Sequence, residues 1–315
     1  KEESLHYYKM AADKGNVSAM LNYASMIEHE EVDSNTDKTD AIVYFKMAAD
    51  RGNTSAMISY ADILYNGTNI APNKEESLRY YKMAADKGNA SAMNSYAYMI
   101  EHGEGGSEIN KDEALHYYKI AANKGNLSAI NNCARVLYKE GDKIEASHYF
   151  KLSADKGNCS SMNKYAAMLN KGDGIEMNKE ESLRYYKLSA DKGNASAMNS
   201  YASLLEQGDG VEKNKEESIR YYKLAADNGN VSAMNKYANI IYDGDGVESN
   251  KSEAFRYFKM AAENGSVLAM KRCASILYKG DGVPMNKEEA LKYIKMIPND
   301  GKSDSDPNIK KVYFI

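Results

Sequence analysis

The stretch Ala11-Ala12-Asp13-Lys14-Gly15-Asn16 returns, with small changes, along nearly the whole chain. Its glycine stands at Gly15, Gly52, Gly88, Gly125, Gly157, Gly193, Gly229 and Gly265, at spacings of 37, 36, 37, 32, 36, 36 and 36 residues. A fixed period of this size marks a repeat architecture, in which every copy is one small structural unit that cannot bury its apolar face alone. The unit is 36 residues, with one-residue additions and a single four-residue deletion. The deletion falls where other copies carry a Gly-Asp-Gly loop such as 172–174; one copy has only Gly141-Asp142-Lys143 there.

Working outward from the glycine, each unit reads as two helices. After it, Ala19, Met20, Tyr23, Ala24 and Ile27 form one apolar stripe at helical spacing. Before it, Ser4, Leu5, Tyr8, Ala11 and Ala12 form a second. Gly15 supplies the left-handed residue that ends a helix, and Asn16 can cap the next by accepting a backbone N–H bond. The second helix has its own start signal in Asn178-Lys179-Glu180-Glu181, with counterparts at Asn73, Asn214 and Asn286. The sequence therefore predicts seventeen helices: a lone second-type helix, then eight pairs ending near Ile297. The expected fold is all-α, a right-handed superhelical α-solenoid of helix-turn-helix repeats with period 36, spanning 1–297 (a half repeat at 1–15, then eight repeats from about 16) with a tail at 298–315.

Composition narrows the function classes. The 315 residues carry 41 Lys+Arg against 45 Asp+Glu, a net charge of −4, so no basic footprint for nucleic acid exists. No stretch approaches the ~18 uninterrupted apolar residues of a membrane span. The opening Lys1-Glu2-Glu3-Ser4 has neither a Met nor the apolar core of a signal peptide, and the chain starts in mid-unit, so a piece of a longer protein is expected.

These motifs resemble the Sel1-like repeat family, relatives of the tetratricopeptide repeats. The matching stretches are Ala197 to Ala202, Gly208-Asp209-Gly210-Val211, and Ser218-Ile219-Arg220-Tyr221-Tyr222-Lys223-Leu224-Ala225-Ala226 with Gly229. Two departures stand out. The family's Trp is Tyr in most copies, and a slot that usually holds Lys carries Met10, Met47, Met83, Ile120, Leu152, Leu188, Leu224, Met260 and Met296. The resemblance implies binding rather than chemistry: such arrays act as scaffolds or adaptors, with the first helices lining the concave face.

The residues that could carry chemistry have structural accounts. Cys133 and Cys273 replace the Tyr23-type aromatic four units apart, too far for a disulfide, and Cys159 stands alone; buried thiols and a cytoplasmic, reducing compartment are expected. Seven of ten Asn-x-Ser/Thr sequons are the repeated helix cap, which weakens a glycosylation reading. The Gly-Asp-Gly loops lack the Gly-Lys-Ser/Thr of a phosphate loop, and Glu248 stands where a calcium loop needs glycine, so they read as helix ends. His6, His116 and His148 share a slot filled elsewhere by Arg79, Arg184, Arg220 or Arg256, a solvated face. No catalytic constellation, metal set or cofactor site is expected.

Function is then sought in slots facing away from the stripe. One such slot reads Leu21, Ile58, Asn94, Asn131, Asn163, Asn199, Asn235 and Lys271, and five consecutive asparagines suit an extended peptide backbone. Beside it lie Tyr98 and Arg135, with Tyr65, Tyr138, Tyr242 and Tyr278 one turn further. The apolar row from Met10 to Met296 is expected in the core, with an exposed partner surface as the alternative. In the tail, Val312-Tyr313-Phe314-Ile315 is apolar enough to cap the array or meet a partner. The expected function is a non-enzymatic scaffold or adaptor binding proteins or extended peptides, without nucleic acid or membrane insertion. Alternatives are the regulatory array of a larger protein with an enzymatic domain, for example a kinase, outside this segment, and a rigid component of a cytoskeletal-type assembly.

Overall fold

The computed structural model describes residues 2–28, 38–208 and 210–298, so the apolar tail lies outside the described residues. Within them are seventeen α-helices, one short 3-10 turn at Glu104–Gly106 and no strand. The helices are α1 (Glu2–Asp13), α2 (Val17–Glu28), α3 (Lys38–Asp50), α4 (Thr54–Asn66), α5 (Lys74–Asp86), α6 (Ala90–His102), α7 (Lys111–Asn123), α8 (Leu127–Glu140) and α9 (Lys143–Asp155). They continue with α10 (Cys159–Lys171), α11 (Lys179–Asp191), α12 (Ala195–Gln207), α13 (Lys215–Asp227), α14 (Val231–Asp243), α15 (Lys251–Glu263), α16 (Val267–Lys279) and α17 (Lys287–Met296). Two compact units divide the chain, Lys1–Leu152 and Ser153–Ile315, the division falling inside α9. In the first, each helix from α1 to α8 packs on its sequence neighbour; in the second, α10 to α17 do the same. Even-numbered helices are the first of each pair and odd-numbered ones the second.

Local chemistry accounts for the helix boundaries. The Asn16-type side chain accepts the backbone N–H three residues on at Asn16, Asn53, Asn89, Asn126, Asn158, Asn194 and Asn230. All seven repeated sequon asparagines are therefore helix caps. At the second helix the cap is reciprocal: Asn73 Oδ1 accepts from the Glu76 N–H while the Asn73 amide donates to the Glu76 carboxylate. Gly172, with φ +66°, closes α10 in the left-handed region that a side chain would disfavour. Where the loop is four residues shorter, Gly141 ends α8 and the Asp142 carboxylate caps α9 through the Glu145 N–H.

Packing follows from small residues on both helices. Ala19, Met20, Tyr23, Ala24 and Ile27 are all buried, as the stripe predicts. On α5 the buried set is Ser77, Tyr80, Tyr81, Ala84 and Ala85, so both adjacent aromatics enter the core, whereas α3 and α7 bury only the second of the two, Phe45 and Tyr118. Buried Ser77, Ser182 and Ser218 each donate to a carbonyl of the preceding helix, at Ala61, Ala166 and Ala202. A small residue there lets the backbones approach, and its hydroxyl is satisfied. Each fully buried Met or aromatic contributes about 1.5–3 kcal/mol.

Aromatic pairs join the two helices of a copy, and a tyrosine clamp joins one copy to the next. Tyr60–Tyr80, Tyr96–Tyr117, Tyr201–Tyr221 and Tyr237–Tyr257 meet edge to face at 4.7–5.0 Å. The same second-helix tyrosine reaches back to an aspartate ending the previous second helix: Tyr80 to Asp50 at 2.5 Å, Tyr221 to Asp191 at 3.0 Å and Tyr257 to Asp227 at 2.6 Å. Asn123 replaces that aspartate before the shortened turn. Cys133 and Cys273, which replace the first-helix tyrosine, are buried and free.

The expected core position of the apolar row is not what the structure shows. None of the nine residues is buried: Met10, Met83, Leu188, Leu224 and Met296 are exposed, and Met47, Ile120, Leu152 and Met260 are half-buried. The alanines and aromatics already fill the space between layers, and the wheel position some 160° from the stripe points this row outward.

Candidate binding face and aromatic pocket

The slots on the first helices that face away from the stripe hold the candidate residues. Asn94, Asn131, Asn163, Asn199 and Asn235 are each half-buried. In the first unit, Asn94 Oδ1 accepts from the Asn132 amide of the next copy at 2.9 Å. In the second unit, the Asn235 amide donates to the Val231 carbonyl and to Ser266 Oγ, both at 2.9 Å. Part of the amide ladder therefore ties copies together. Oδ1 of Asn163 and Oδ1 of Asn235 are buried and have no hydrogen-bond partner.

In the first unit the face deepens into a cavity of about 320 Å³ lined by Tyr65, Tyr81, Asn94, Ser95, Tyr98 and Met99. Asn94, Ser95, Tyr98 and Met99 come from α6, Tyr65 from α4 and Tyr81 from α5. Tyr98 is 40% exposed and stacks on His102 with ring centroids 4.2 Å apart. The Lys74 ammonium sits 4.7 Å over the Tyr65 ring and 2.9 Å from Glu104. Burial, with a hydrogen bond to Glu104, pushes the Tyr65 hydroxyl up to about 12. Glu104 itself is raised by burial, but hydrogen bonds from Lys74 and Tyr65 outweigh that and hold it below the usual range. Its Oε2 is buried without a hydrogen-bond partner. Tyr81 donates to Asp62, whose carboxyl burial pushes up against that bond.

One turn past Tyr98, Glu101 is gripped by Arg135 of the next copy at 2.6 and 2.5 Å and by the Tyr118 hydroxyl at 3.0 Å. Tyr138 meets Phe150 edge to face at 6.1 Å, and the Lys143 ammonium lies 5.8 Å over its ring. In the second unit Tyr242 donates to Asp281 with Lys251 over its ring, and Lys287 lies 5.1 Å over Tyr278. Tyr98 and Asn94 thus share a pocket, Arg135 is committed to an ion pair, and the remaining tyrosines carry lysines on their faces.

Tyr81, Ser95, Met99, Asp62 and Glu104 carry no mark of a site in the sequence. Tyr81 belongs to an aromatic pair repeated in most copies and reads as core; it becomes pocket wall only because Tyr65 and Tyr98 flank it. Among the described residues no three His, Cys, Asp or Glu gather to hold a metal, and no helix is long and apolar enough to cross a membrane.

A stack of helix pairs with its variable polar and aromatic residues on the first helices defines a repeat protein of the protein-interaction class. The chain belongs to the Sel1 repeat family: its model matches nine times, at 1–16, 17–53, 54–89, 90–126, 128–158, 159–194, 195–230, 231–266 and 267–296. Among solved structures, the protective antigen c5321 of uropathogenic Escherichia coli, described as displaying an SLR fold, is 25% identical with a TM-score of 0.86, covering 98% of this chain and 67% of that one. A Sel1 repeat protein from Oxalobacter formigenes is 21% identical with a TM-score of 0.78, covering 98% of this chain and 89% of that one. No curated protein matches the chain.

Proposed function

We propose that this chain is a non-enzymatic scaffold or adaptor that binds a partner protein through the first-helix face, taking an extended segment of it. The observation that carries the reading is the pocket of Tyr65, Tyr81 and Tyr98 beside the Asn94 amide, an apolar cavity with a few convergent polar groups. The unpartnered carbonyls of the half-buried Asn163 and Asn235 support it, since a turn of either side chain toward solvent would satisfy the acceptor with a peptide N–H. A second reading has its own observation: the half-exposed row of Leu188, Leu224, Met260 and Met296 offers an apolar surface on the second helices.

The test is affinity capture of a partner, followed by binding measurements with two double variants of the chain. Asn131→Ala with Asn163→Ala should weaken the captured partner at least tenfold at unchanged helicity. Leu188→Ser with Leu224→Ser should leave it within twofold. The reverse pattern would replace the first reading with the second.

A further inference from the structure

The residues around Tyr65 differ from those around the equivalent tyrosines. The trio of tyrosine, lysine and acid recurs: Lys74 covers Tyr65 and pairs with Glu104, and Lys251 covers Tyr242 and pairs with Asp281. Only at Tyr65 does the next copy supply a second aromatic, Tyr98; the matching position beyond Tyr242 is Ser275. Only there does the copy holding the tyrosine also supply an acid one turn earlier, Asp62, where Tyr138 has Arg135, Tyr242 has Asn239 and Tyr278 has Ser275.

Two carboxylates are hydrogen-bonded to tyrosines that line the cavity, Asp62 through Tyr81 and Glu104 through Tyr65, and a third, Glu101, follows Tyr98 by three residues on α6. Glu101 is matched by Arg135, and Glu104 by Lys74 through one oxygen while its Oε2 accepts nothing. Asp62 has the Tyr81 hydroxyl as its hydrogen-bond donor, and no cation pairs with it among the described residues. Two cations against three acids leaves one negative charge beside three aromatic rings. Ring faces carry negative potential and attract cations, most strongly where water is excluded. A planar guanidinium stacks on such faces and forks its N–H groups toward carboxylates.

We infer that this pocket receives a basic side chain, an arginine, from the partner's extended segment, its guanidinium lying against Tyr98 and Tyr81 and donating toward Asp62. The inference rests on the first-helix face being the binding face and names the residue that would anchor there. Lys74 over Tyr65 is the intramolecular precedent for a cation on these rings.

The experiment uses the full chain with ¹³C-labelled tyrosine, the three pocket rings assigned by single Tyr→Phe variants. The probes are N-acetyl-arginine methylamide, its neutral isostere N-acetyl-citrulline methylamide and N-acetyl-proline methylamide. The arginine probe should shift the Tyr65, Tyr81 and Tyr98 resonances saturably in the millimolar range, with citrulline at least fivefold weaker. Asp62→Asn should weaken the arginine probe severalfold, and Tyr98→Ala should do the same. Equal binding of citrulline, tighter binding of proline, or no shift at tens of millimolar overturns the inference. Failure of the probes with partner binding still sensitive to Asn131→Ala and Asn163→Ala removes the arginine and leaves the binding face. Saturable arginine binding with partner affinity indifferent to those substitutions does the opposite.

Discussion

Glu101 is the residue whose removal should most disturb the first unit. Its carboxylate, with a side chain only 10% exposed, receives two guanidinium bonds from Arg135 and one from the Tyr118 hydroxyl, joining α6, α7 and α8. Glu101→Ala leaves two groups stranded. The buried Tyr118 hydroxyl loses its acceptor, at about 1–3 kcal/mol. The Arg135 guanidinium, 30% exposed, loses its counter-charge but reaches water, so the several kcal/mol of a fully buried pair is cut to about 1. Together about 2–4 kcal/mol should be lost. Solenoids unfold in parts, so the readout is native-state hydrogen exchange of the α6–α8 amides, where 2 kcal/mol is roughly thirtyfold faster exchange. Glu101→Ala, Arg135→Ala and the double variant form a cycle, with an expected coupling of about 1–2 kcal/mol. Burial raises the Glu101 carboxyl, but the Arg135 bonds and charge, with the Tyr118 hydroxyl, outweigh it and the net shift is downward. A folded value below the unfolded one, about 4.3, means the contribution is complete above that pH and vanishes as pH falls through the folded value. The difference between wild type and Glu101→Ala should therefore be full at pH 7 and shrink below pH 4. A coupling within 0.3 kcal/mol of zero, or a difference indifferent to pH, would refute the reasoning.

Three further outcomes are expected. Gly105→Ala should cost clearly more than Gly106→Ala in chemical denaturation: both have positive φ, but a Cβ at 105 meets the Lys74 carbonyl oxygen at 2.5 Å while one at 106 meets nothing within 4 Å, leaving only the ~1 kcal/mol of backbone strain. Burial pushes the Cys133 and Cys273 thiols up to about 12, so an aromatic disulfide reagent at pH 8 should titrate the half-buried Cys159 at once and the other two only after denaturant is added. Asn126→Ala removes the 2.8 Å cap on α8 and should cost about 1 kcal/mol by thermal melting, while Asn126→Ser, which keeps an acceptor, should recover most of it.

The parts of this molecule written in short-range chemistry were readable from the chain. A cap needs only Asn and an N–H three residues on, and a helix end needs a glycine that tolerates positive φ, so boundaries at Asn126, Gly172 and Asn178 follow from neighbours. The apolar row misled because a helical wheel measures an angle from one face but not how much room the adjoining layer leaves; Ala84, Ala85, Tyr80 and Tyr81 had already taken it. The binding face was half legible. Asn94 and Tyr98 stood out as variable residues on the outward slots, yet the pocket is a property of three helices. Tyr81 changes from core to wall only in the company of Tyr65 and Tyr98, and no single copy contains that information.

The tyrosine clamp gives the array a further property. Tyr185 reaches Asp155 and Tyr221 reaches Asp191, each across thirty residues to the copy immediately before it. Excising 158–193, one whole period, would set Tyr221 thirty residues from Asp155, with the same joint restored. Length is therefore a free variable of this architecture. A gene encoding it can lose or gain a copy by unequal recombination and still specify only joints it has already tried, while the few unrepeated residues, Tyr98 and Asp62 among them, travel as cargo on whichever copy survives.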